Sequence, residues 1–173
     1  TERVVGGATK EWMGIAVSAN GKKQAAVAYD GNIWTSVNSG ESWTKETSVG
    51  ATKNWTSITS SEFGTKVFAT VRYGNIWTSQ DRGATWTERV VGGATKQWLG
   101  ITSSANGTKV FAVVYNGKIW TSANSGVNWT EDTSVGGTKQ WRSITSSADG
   151  TKIVACSSGT GSSGGVYFSV DSG

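Results

Sequence analysis

The chain places Asp or Asn side chains in one recurring frame, Ser-x-(Asp/Asn)-x-Gly, which in its full copies ends in Trp three residues after the Gly. A carboxylate fixed in such a frame could serve as a general acid, a calcium ligand or a hydrogen-bond acceptor inside a turn. The chain itself has Asn38 and Asn124 where other copies have Asp81 and Asp171. An amide oxygen accepts hydrogen bonds, but an amide cannot deliver a proton, so the frame predicts a turn device and not an acid catalyst. The frame residues are Ser36, Asn38, Gly40, Trp43, Ser79, Asp81, Gly83, Trp86, Ser122, Asn124, Gly126, Trp129, Ser169, Asp171 and Gly173.

Other reactive side chains are scarce. The chain has no His and one Cys, which excludes Ser-His and Cys-His relays, His-liganded zinc and an intrachain disulfide. Cys156 aligns with Val27, Thr70 and Val113 of the repeat described next, which predicts a small buried strand residue. The frame also lacks the dense acidic ligand set of a calcium loop, so we expect neither a metal nor another cofactor.

The frame is part of a longer repeat with a period of 43 residues. This period lies within the range of about 40–45 residues that is typical of a four-stranded propeller blade. A second series of tryptophans opens stretches such as WLGITSS: Trp12, Trp55, Trp98 and Trp141. A third series stands in IWTS, with Phe168 expected in the fourth place: Trp34, Trp77 and Trp120. With 24 Gly and no Pro, short strands joined by tight turns are expected. We predict a single domain, residues 1–173, of four units at about 1–43, 44–86, 87–129 and 130–173.

The frame resembles the Asp-box, or bacterial neuraminidase repeat, over essentially the whole chain. The resemblance implies a hairpin turn between the third and fourth strands of a blade, and hence an all-β propeller of four four-stranded antiparallel blades. Asp-box turns occur in sialidases, sortilin-type receptors, xyloglucan hydrolases and other extracellular proteins. The motif therefore implies a fold without naming an activity.

Ring closure has three possible forms at this stage. The first residues, TERVV, repeat the sequence of a fourth strand, and pairing of that strand with the last unit would seal the ring. Two chains could instead form an eight-bladed ring, or the chain could be a segment of a longer array.

An enzyme of the sialidase type is disfavoured. The resemblance would require three Arg around a carboxylate, one of them in an Arg-Ile-Pro motif, together with a Tyr-Glu pair and an Asp acid. The chain has no Pro, and of its scattered arginines Arg3 and Arg89 are copies of one repeat position. No catalytic residue can be carried over, and we expect a protein that is not an enzyme.

A binding surface is expected on one face of the propeller, where the links between units meet the turns between second and third strands. Polar groups beside aromatic rings suit sugars, and repeated weak sites gain by avidity, so a carbohydrate or glycoprotein partner is predicted. The alternatives are that these Trp and Lys side chains are core and solvated groups, and that the protein is structural and self-assembling. The candidate ligand-binding residues are Lys10, Trp12, Lys53, Trp55, Arg72, Tyr73, Lys96, Trp98, Tyr115, Lys139 and Trp141, with the loop at 157–165 on the same face.

Charge and composition complete the predictions. The net charge of +4 is spread evenly, so no specific nucleic-acid partner is expected, and no long apolar run indicates membrane insertion. The Asp-box resemblance implies a location outside the cell. Three sequons, at Asn54, Asn106 and Asn128, are candidate glycosylation sites, with Asn106 in an exposed turn.

Overall fold

The computed structural model describes residues 4–7, 9–159 and 164–171, and within them the chain is all-β, without an α-helix. A short 3-10 turn, Val5–Gly7, precedes fifteen strands that form four consecutive antiparallel units. The first two units contain β1 (Trp12–Val17), β2 (Gln24–Ala28), β3 (Ile33–Ser36), β4 (Thr44–Lys45), β5 (Trp55–Ser60), β6 (Val67–Gly74), β7 (Ile76–Ser79) and β8 (Thr87–Arg89). The other two contain β9 (Lys96–Ser103), β10 (Val110–Gly117), β11 (Ile119–Ser122), β12 (Thr130–Asp132), β13 (Lys139–Ser146), β14 (Ile153–Ser158) and β15 (Gly165–Ser169).

Each sheet boundary lies one strand beyond the predicted unit boundary. The strand that follows Trp43 is β4, and it pairs with β3 of the same sheet through Thr35 and Thr44. The frame therefore lies inside a sheet, as the hairpin between its third and fourth strands. Units 1 to 4 below are the sheets beginning at β1, β5, β9 and β13; the first three have four strands, and the described part of unit 4 has three.

Consecutive units pack face to face. We call the side of a unit that contacts the next unit its forward face, and the side that contacts the preceding unit its rear face. Between units 2 and 3, the forward face contributes Phe68 and Ile76, and the rear face contributes Trp98, Ile101 and Trp120. The equivalent contact joins units 1 and 2 through Ile33, Trp55 and Ile58, and units 3 and 4 through Ile119, Trp141 and Ile144. The core is thus a row of similar apolar layers, each formed by two neighbouring units.

Backbone pairing links the units at both ends of the strands. On one face, Arg72 pairs with Gln97 and Tyr115 pairs with Gln140, which brings the second strand of one unit to the start of the next. On the opposite face, a ladder of backbone hydrogen bonds connects the turns between first and second strands. It runs from the Ala19 N–H to the Glu62 carbonyl, from Glu62 to Ala105 and from Ala105 to Ala148, each 2.7 Å long. The face predicted to join the links between units to the turns between second and third strands is therefore present.

The row of units is open. Among the described strands, no pairing joins unit 4 to unit 1, so ring closure is not confirmed. Residues 1–3 of the predicted closing strand lie outside the described residues. The openness is visible in the side chains, since Ile15 of unit 1 is 68% exposed whereas the equivalent Ile58 is 6% exposed.

The register of the last unit corrects one expectation. The prediction that Phe168 takes the place of Trp120 is wrong, because Ala155 pairs with Tyr167 as Ala112 pairs with Trp120. Tyr167 lies edge-on to Trp141, with ring centroids 5.0 Å apart, and Phe168 points to the other side of the sheet. Cys156 holds the predicted strand position opposite Val166 but is only half-buried, since no described unit covers the forward face of unit 4.

Within the described part of the chain, no helix is long and apolar enough to cross a membrane.

Candidate ligand-binding surface

The recurring frame forms a self-contained turn in which Ser is the central group. The Ser79 hydroxyl donates to Asp81 Oδ1 at 2.8 Å and accepts the N–H of Gly83 at 2.8 Å. Asp81 Oδ1 in turn accepts the N–H of Thr85 at 2.9 Å. Equivalent bonds surround Ser36 and Ser122, where Asn replaces Asp. In unit 4 the Ser169 hydroxyl donates to Asp171, while Gly173 lies outside the described residues.

The tryptophan of the frame closes the turn. The indole N–H of Trp86 donates to the carbonyl of Gly83 at 2.8 Å, and Trp129 makes the same bond to Gly126 at 3.0 Å. Gly83 has φ +89, a left-handed conformation that favours glycine. The turn thus satisfies its own backbone groups, in agreement with the interpretation of the frame as a fold device.

A second turn of the same kind joins the first and second strands. Asn106 was predicted to lie in an exposed turn, but the role of the serine in this turn was missed. The Ser104 hydroxyl donates to Asn106 Oδ1 at 2.8 Å and accepts the N–H of Lys109 at 3.1 Å. Ser18 and Ser147 have the same arrangement. The signal was available as a Ser two residues before each Asn or Asp of these turns.

The turn carboxylates are held in their ionised form. The hydroxyl and N–H of Thr85 hold the pKa of the Asp81 carboxyl below its ordinary value. The Ser147 hydroxyl and the Thr151 N–H and hydroxyl hold the pKa of Asp149 well below its usual range. A general acid must carry a proton near neutral pH, whereas these groups serve as hydrogen-bond acceptors in their turns.

Glu46 is a buried carboxyl that follows β4. Burial raises the pKa of Glu46 above its ordinary value of 4.5, the hydroxyl of Thr35, which donates to Oε1 at 2.5 Å, lowers it, and the charge of Asp81 raises it further. Because the folded protein holds this proton more tightly than the unfolded chain, stability falls as the pH rises from 4.5 through the folded pKa.

We therefore expect Glu46→Gln to unfold at a higher temperature than the parent protein at pH 7. An amide accepts the Thr35 hydrogen bond without carrying a buried charge. The difference should shrink as the pH falls below 4.5, where Glu46 is protonated in both states. Thermal unfolding by circular dichroism between pH 3 and pH 8 measures it, with Glu62→Gln, on an exposed turn, as the control. A constant difference at all pH values would contradict the assignment.

The lysines of the predicted binding face lie over aromatic rings. Lys53 Nζ lies 4.8 Å from the ring centre of Trp77, and Lys96 Nζ lies 5.1 Å from that of Trp120. Lys10 lies over Trp34 in the same way, and Lys139 lies 4.9 Å from the ring of Tyr167. These cation–π contacts hold each lysine against its own unit.

The tryptophans predicted to stack on a ligand are mostly inside the protein. Trp55, Trp98 and Trp141 are fully buried in the layers between units, so their rings are not accessible to a ligand in this structure. Trp12 is 41% exposed, because nothing in the described chain covers the rear face of unit 1. The alternative interpretation, in which these tryptophans fill the core, therefore agrees with the structure for three of the four tryptophans.

Two other aromatic residues of this face do reach the surface. Tyr73 is exposed and stacks with the guanidinium of its neighbour Arg72, 5.2 Å from the ring centre. Tyr115 is half-buried and stacks with Arg142 of the next unit at 4.9 Å. Arg142 was not among the predicted site residues. Unit 3 has Leu99 at the equivalent position, so the change to arginine was the available signal in the sequence.

The Tyr115 and Arg142 stack borders a polar pocket between units 3 and 4. Arg142 Nε donates to the Ser158 hydroxyl at 2.8 Å, and that hydroxyl lies 3.4 Å from Gln140 Oε1. The pocket has a volume of about 270 Å³ and is lined by Asn116, Thr138, Lys139, Gln140 and Ser158. It is lined by amide and hydroxyl side chains and by Lys139, none of its lining residues is acidic, and the Arg142–Ser158 hydrogen bond connects it to the stack. Such a site can hydrogen-bond a polyol or an anionic sugar.

The remaining predicted sites are placed as follows. Asn106 and Asn128 are exposed and Asn54 is half-buried. Residues 157–159, 164 and 165 of the predicted loop are described, and 160–163 lie outside the described residues. Within the described ranges, no three His, Cys, Asp or Glu side chains lie together in a way that could hold a metal ion.

Comparison with known proteins addresses the fold. No protein-family model and no curated protein matches the chain. Solved structures do: the GH74 enzyme of Niastella koreensis matches with a TM-score of 0.73 and 21% identity, over 99% of this chain and 24% of that one. YCF48 bound to D1 peptide matches with a TM-score of 0.69 and 16% identity, over 90% and 50%. The β-propeller domain of Cps50 (Swd1) of Myceliophteria thermophila matches with a TM-score of 0.58 and 17% identity, over 84% and 50%.

The fold is that of a β-propeller repeat. The chain spans about a quarter of the length of the Niastella koreensis enzyme and half of the other two proteins. At these identities the similarity concerns the fold alone, and a propeller fold does not identify a ligand.

Proposed function

We propose that the chain is an extracellular Asp-box propeller module of four blades that binds carbohydrate without hydrolysing it. The binding site is the polar pocket between units 3 and 4, next to the Tyr115 and Arg142 stack. The observation that carries the proposal is a pocket with five polar lining residues and no carboxylate, joined through Ser158 and Arg142 to the half-buried ring of Tyr115. Sugars present apolar C–H faces to rings and hydroxyls to amides and charged groups.

Several features support the individual parts of the proposal. The Ser-centred turns lie between the third and fourth strands, the position that the Asp-box resemblance implies. The Niastella koreensis protein of similar fold is a GH74 glycoside hydrolase, a class of enzyme that acts on carbohydrate. Hydrolysis requires a pair of carboxyl groups around the scissile bond, and the pocket lining has none. The exposed sequons at Asn106 and Asn128 are compatible with a secreted glycoprotein.

A glycan array probed with the purified, fluorescently labelled chain tests the proposal. We expect binding to a subset of oligosaccharides, lost at least 10-fold in Arg142→Ala and in Tyr115→Ala, because the first removes the bond to Ser158 and the second removes the ring. Incubation of the bound sugars with the protein should leave them intact when analysed by mass spectrometry.

The matched control is Tyr73→Ala, which removes an exposed tyrosine of the same face away from the pocket. This variant should retain binding. Equal losses in all three variants would place the ligand elsewhere on the face, and the absence of signal from every sugar would contradict the proposal, as would selective binding of peptides.

A further inference from the structure

Each contact between consecutive units buries the forward face of one unit and the rear face of the next. In each of the three internal interfaces, a rear face carrying a buried Trp and Ile packs on the forward face of the preceding unit. The Ile residues of these rear faces, Ile58, Ile101 and Ile144, are 5–6% exposed. One forward face and one rear face remain outside these interfaces, at opposite ends of the row.

The uncovered rear face belongs to unit 1. Its Trp12 and Ile15 hold the positions of Trp55 and Ile58, yet both are exposed. With Ala26, Gly40 and Trp43 they line a concave surface that encloses a volume of about 600 Å³. The surface has the chemical character of an internal interface from which one partner has been removed.

The uncovered forward face belongs to unit 4. Val154 and Val166 hold the positions of Phe111 and Ile119, which unit 4 buries inside the chain. In unit 4 itself both valines are exposed, and Phe168 beside them is 81% exposed. These side chains form an apolar patch on the last unit.

The two faces are complementary at the level of single residues. In the internal interfaces, Gly83 lies against the methyl group of Thr35 and Gly126 against that of Thr78. The glycine at this position of unit 1 is Gly40, at the edge of the concave surface, and the residue at the threonine position of unit 4 is Phe168. Phe168, the one residue of the four that is not threonine, would thus lie against Gly40 at the edge of the concave surface.

The backbone hydrogen bonds and the lysine contacts between units also leave complementary groups in units 1 and 4. The hydrogen-bond ladder between turns ends with the Ala19 carbonyl in unit 1 and the Ala148 N–H in unit 4. The aliphatic part of a lysine packs on the turn glycine of the next unit, as Lys109 does on Gly150. Gly21 has no such neighbour within 4 Å among the described residues, and Lys152 holds the lysine position in unit 4.

We infer that two copies of this chain associate head to tail, with the forward face of unit 4 of each copy on the rear face of unit 1 of the other. A second copy is the occupant that the faces select, because one chain carries both halves of an interface that it already forms three times internally. The pair is a closed ring of eight units in which both end faces of both copies are covered. This inference is independent of the proposed carbohydrate site.

Multi-angle light scattering of the 173-residue chain measures the association. We expect a mass twice the 18.1 kDa of a single chain. Phe168→Asp and Ile15→Asp each place a charge on one end face and should each give the single-chain mass. Both side chains are exposed in the isolated chain, so the variants should fold, which an unchanged circular dichroism spectrum would verify.

Mixing the two variants distinguishes this geometry from unspecific association. Phe168→Asp keeps an intact rear face and Ile15→Asp keeps an intact forward face, so their mixture can form one interface and should regain the double mass at high concentration. Phe63→Asp, at an exposed phenylalanine away from both end faces, should leave the mass unchanged. A single-chain mass for the parent protein at about 100 µM, association that survives both end-face substitutions, or a series of larger species would overturn the closed pair.

Discussion

Trp98→Ala is expected to lower the free energy of unfolding by about 3–5 kcal/mol, the range for removing a large aromatic side chain from a packed interior. Trp98 is fully buried and lies edge-on to Trp120, with ring centroids 6.5 Å apart. The cavity would open between two sheets, where Phe68 and Ile101 cannot move inward without shifting their strands. The large loss follows because the layers between units are the core of this fold.

Urea unfolding followed by circular dichroism measures this loss, with Phe63→Ala as the control. Phe63 is also aromatic but lies exposed on a turn, so its removal should change the free energy of unfolding by no more than about 0.5 kcal/mol. Similar losses in the two variants would show that burial between units does not provide the main stabilisation.

Ser79→Ala is expected to cost about 1–3 kcal/mol, a large effect for the loss of one oxygen atom. The Ser79 hydroxyl is buried, donates to Asp81 and accepts the N–H of Gly83. Alanine leaves the Gly83 N–H without its acceptor at a buried position. The unfolding midpoint should fall by about 2–4 °C per kcal/mol for a chain of this size.

The informative comparison is Asp81→Asn, which should cost no more than about 1 kcal/mol. Asn38 already shows how an amide serves in this place, since its Oδ1 accepts from Ser36 and its Nδ2 donates to Ser42. If Asp81→Asn were as costly as Ser79→Ala, the carboxylate would have a role beyond accepting hydrogen bonds in the turn.

The repeat and its turns could be predicted from the sequence because they depend on local chemistry. A Ser, an Asx acceptor and a Gly within five residues form their hydrogen bonds with one another, wherever the turn lies in the fold. Asn38 and Asn124, which stand where Asp81 stands in its own frame, indicated that this position needs a hydrogen-bond acceptor and not an acid. The predicted hairpin between the third and fourth strands follows from the same residues.

The solvent exposure of the predicted site residues could not be predicted from the local sequence, because it depends on contacts between units. Trp12 and Trp98 stand in the same motif, yet one is exposed and the other fully buried, according to whether a preceding unit covers them. The choice between Tyr167 and Phe168 likewise depends on the register of β15 against β14, and two adjacent aromatic residues cannot decide it. The Arg142 and Tyr115 stack arises only when β13 pairs with β10.

The proposed carbohydrate site in the polar pocket between units 3 and 4 can be located by nuclear magnetic resonance of the ¹⁵N-labelled chain. The sugar that gives the strongest array signal would be titrated while the backbone amide shifts are followed. We expect the largest changes at the amides of Asn116, Gln140 and Ser158, which line the pocket. Changes confined to the opposite face, around Asn20 and Asn106, or no change at millimolar sugar, would contradict the proposal.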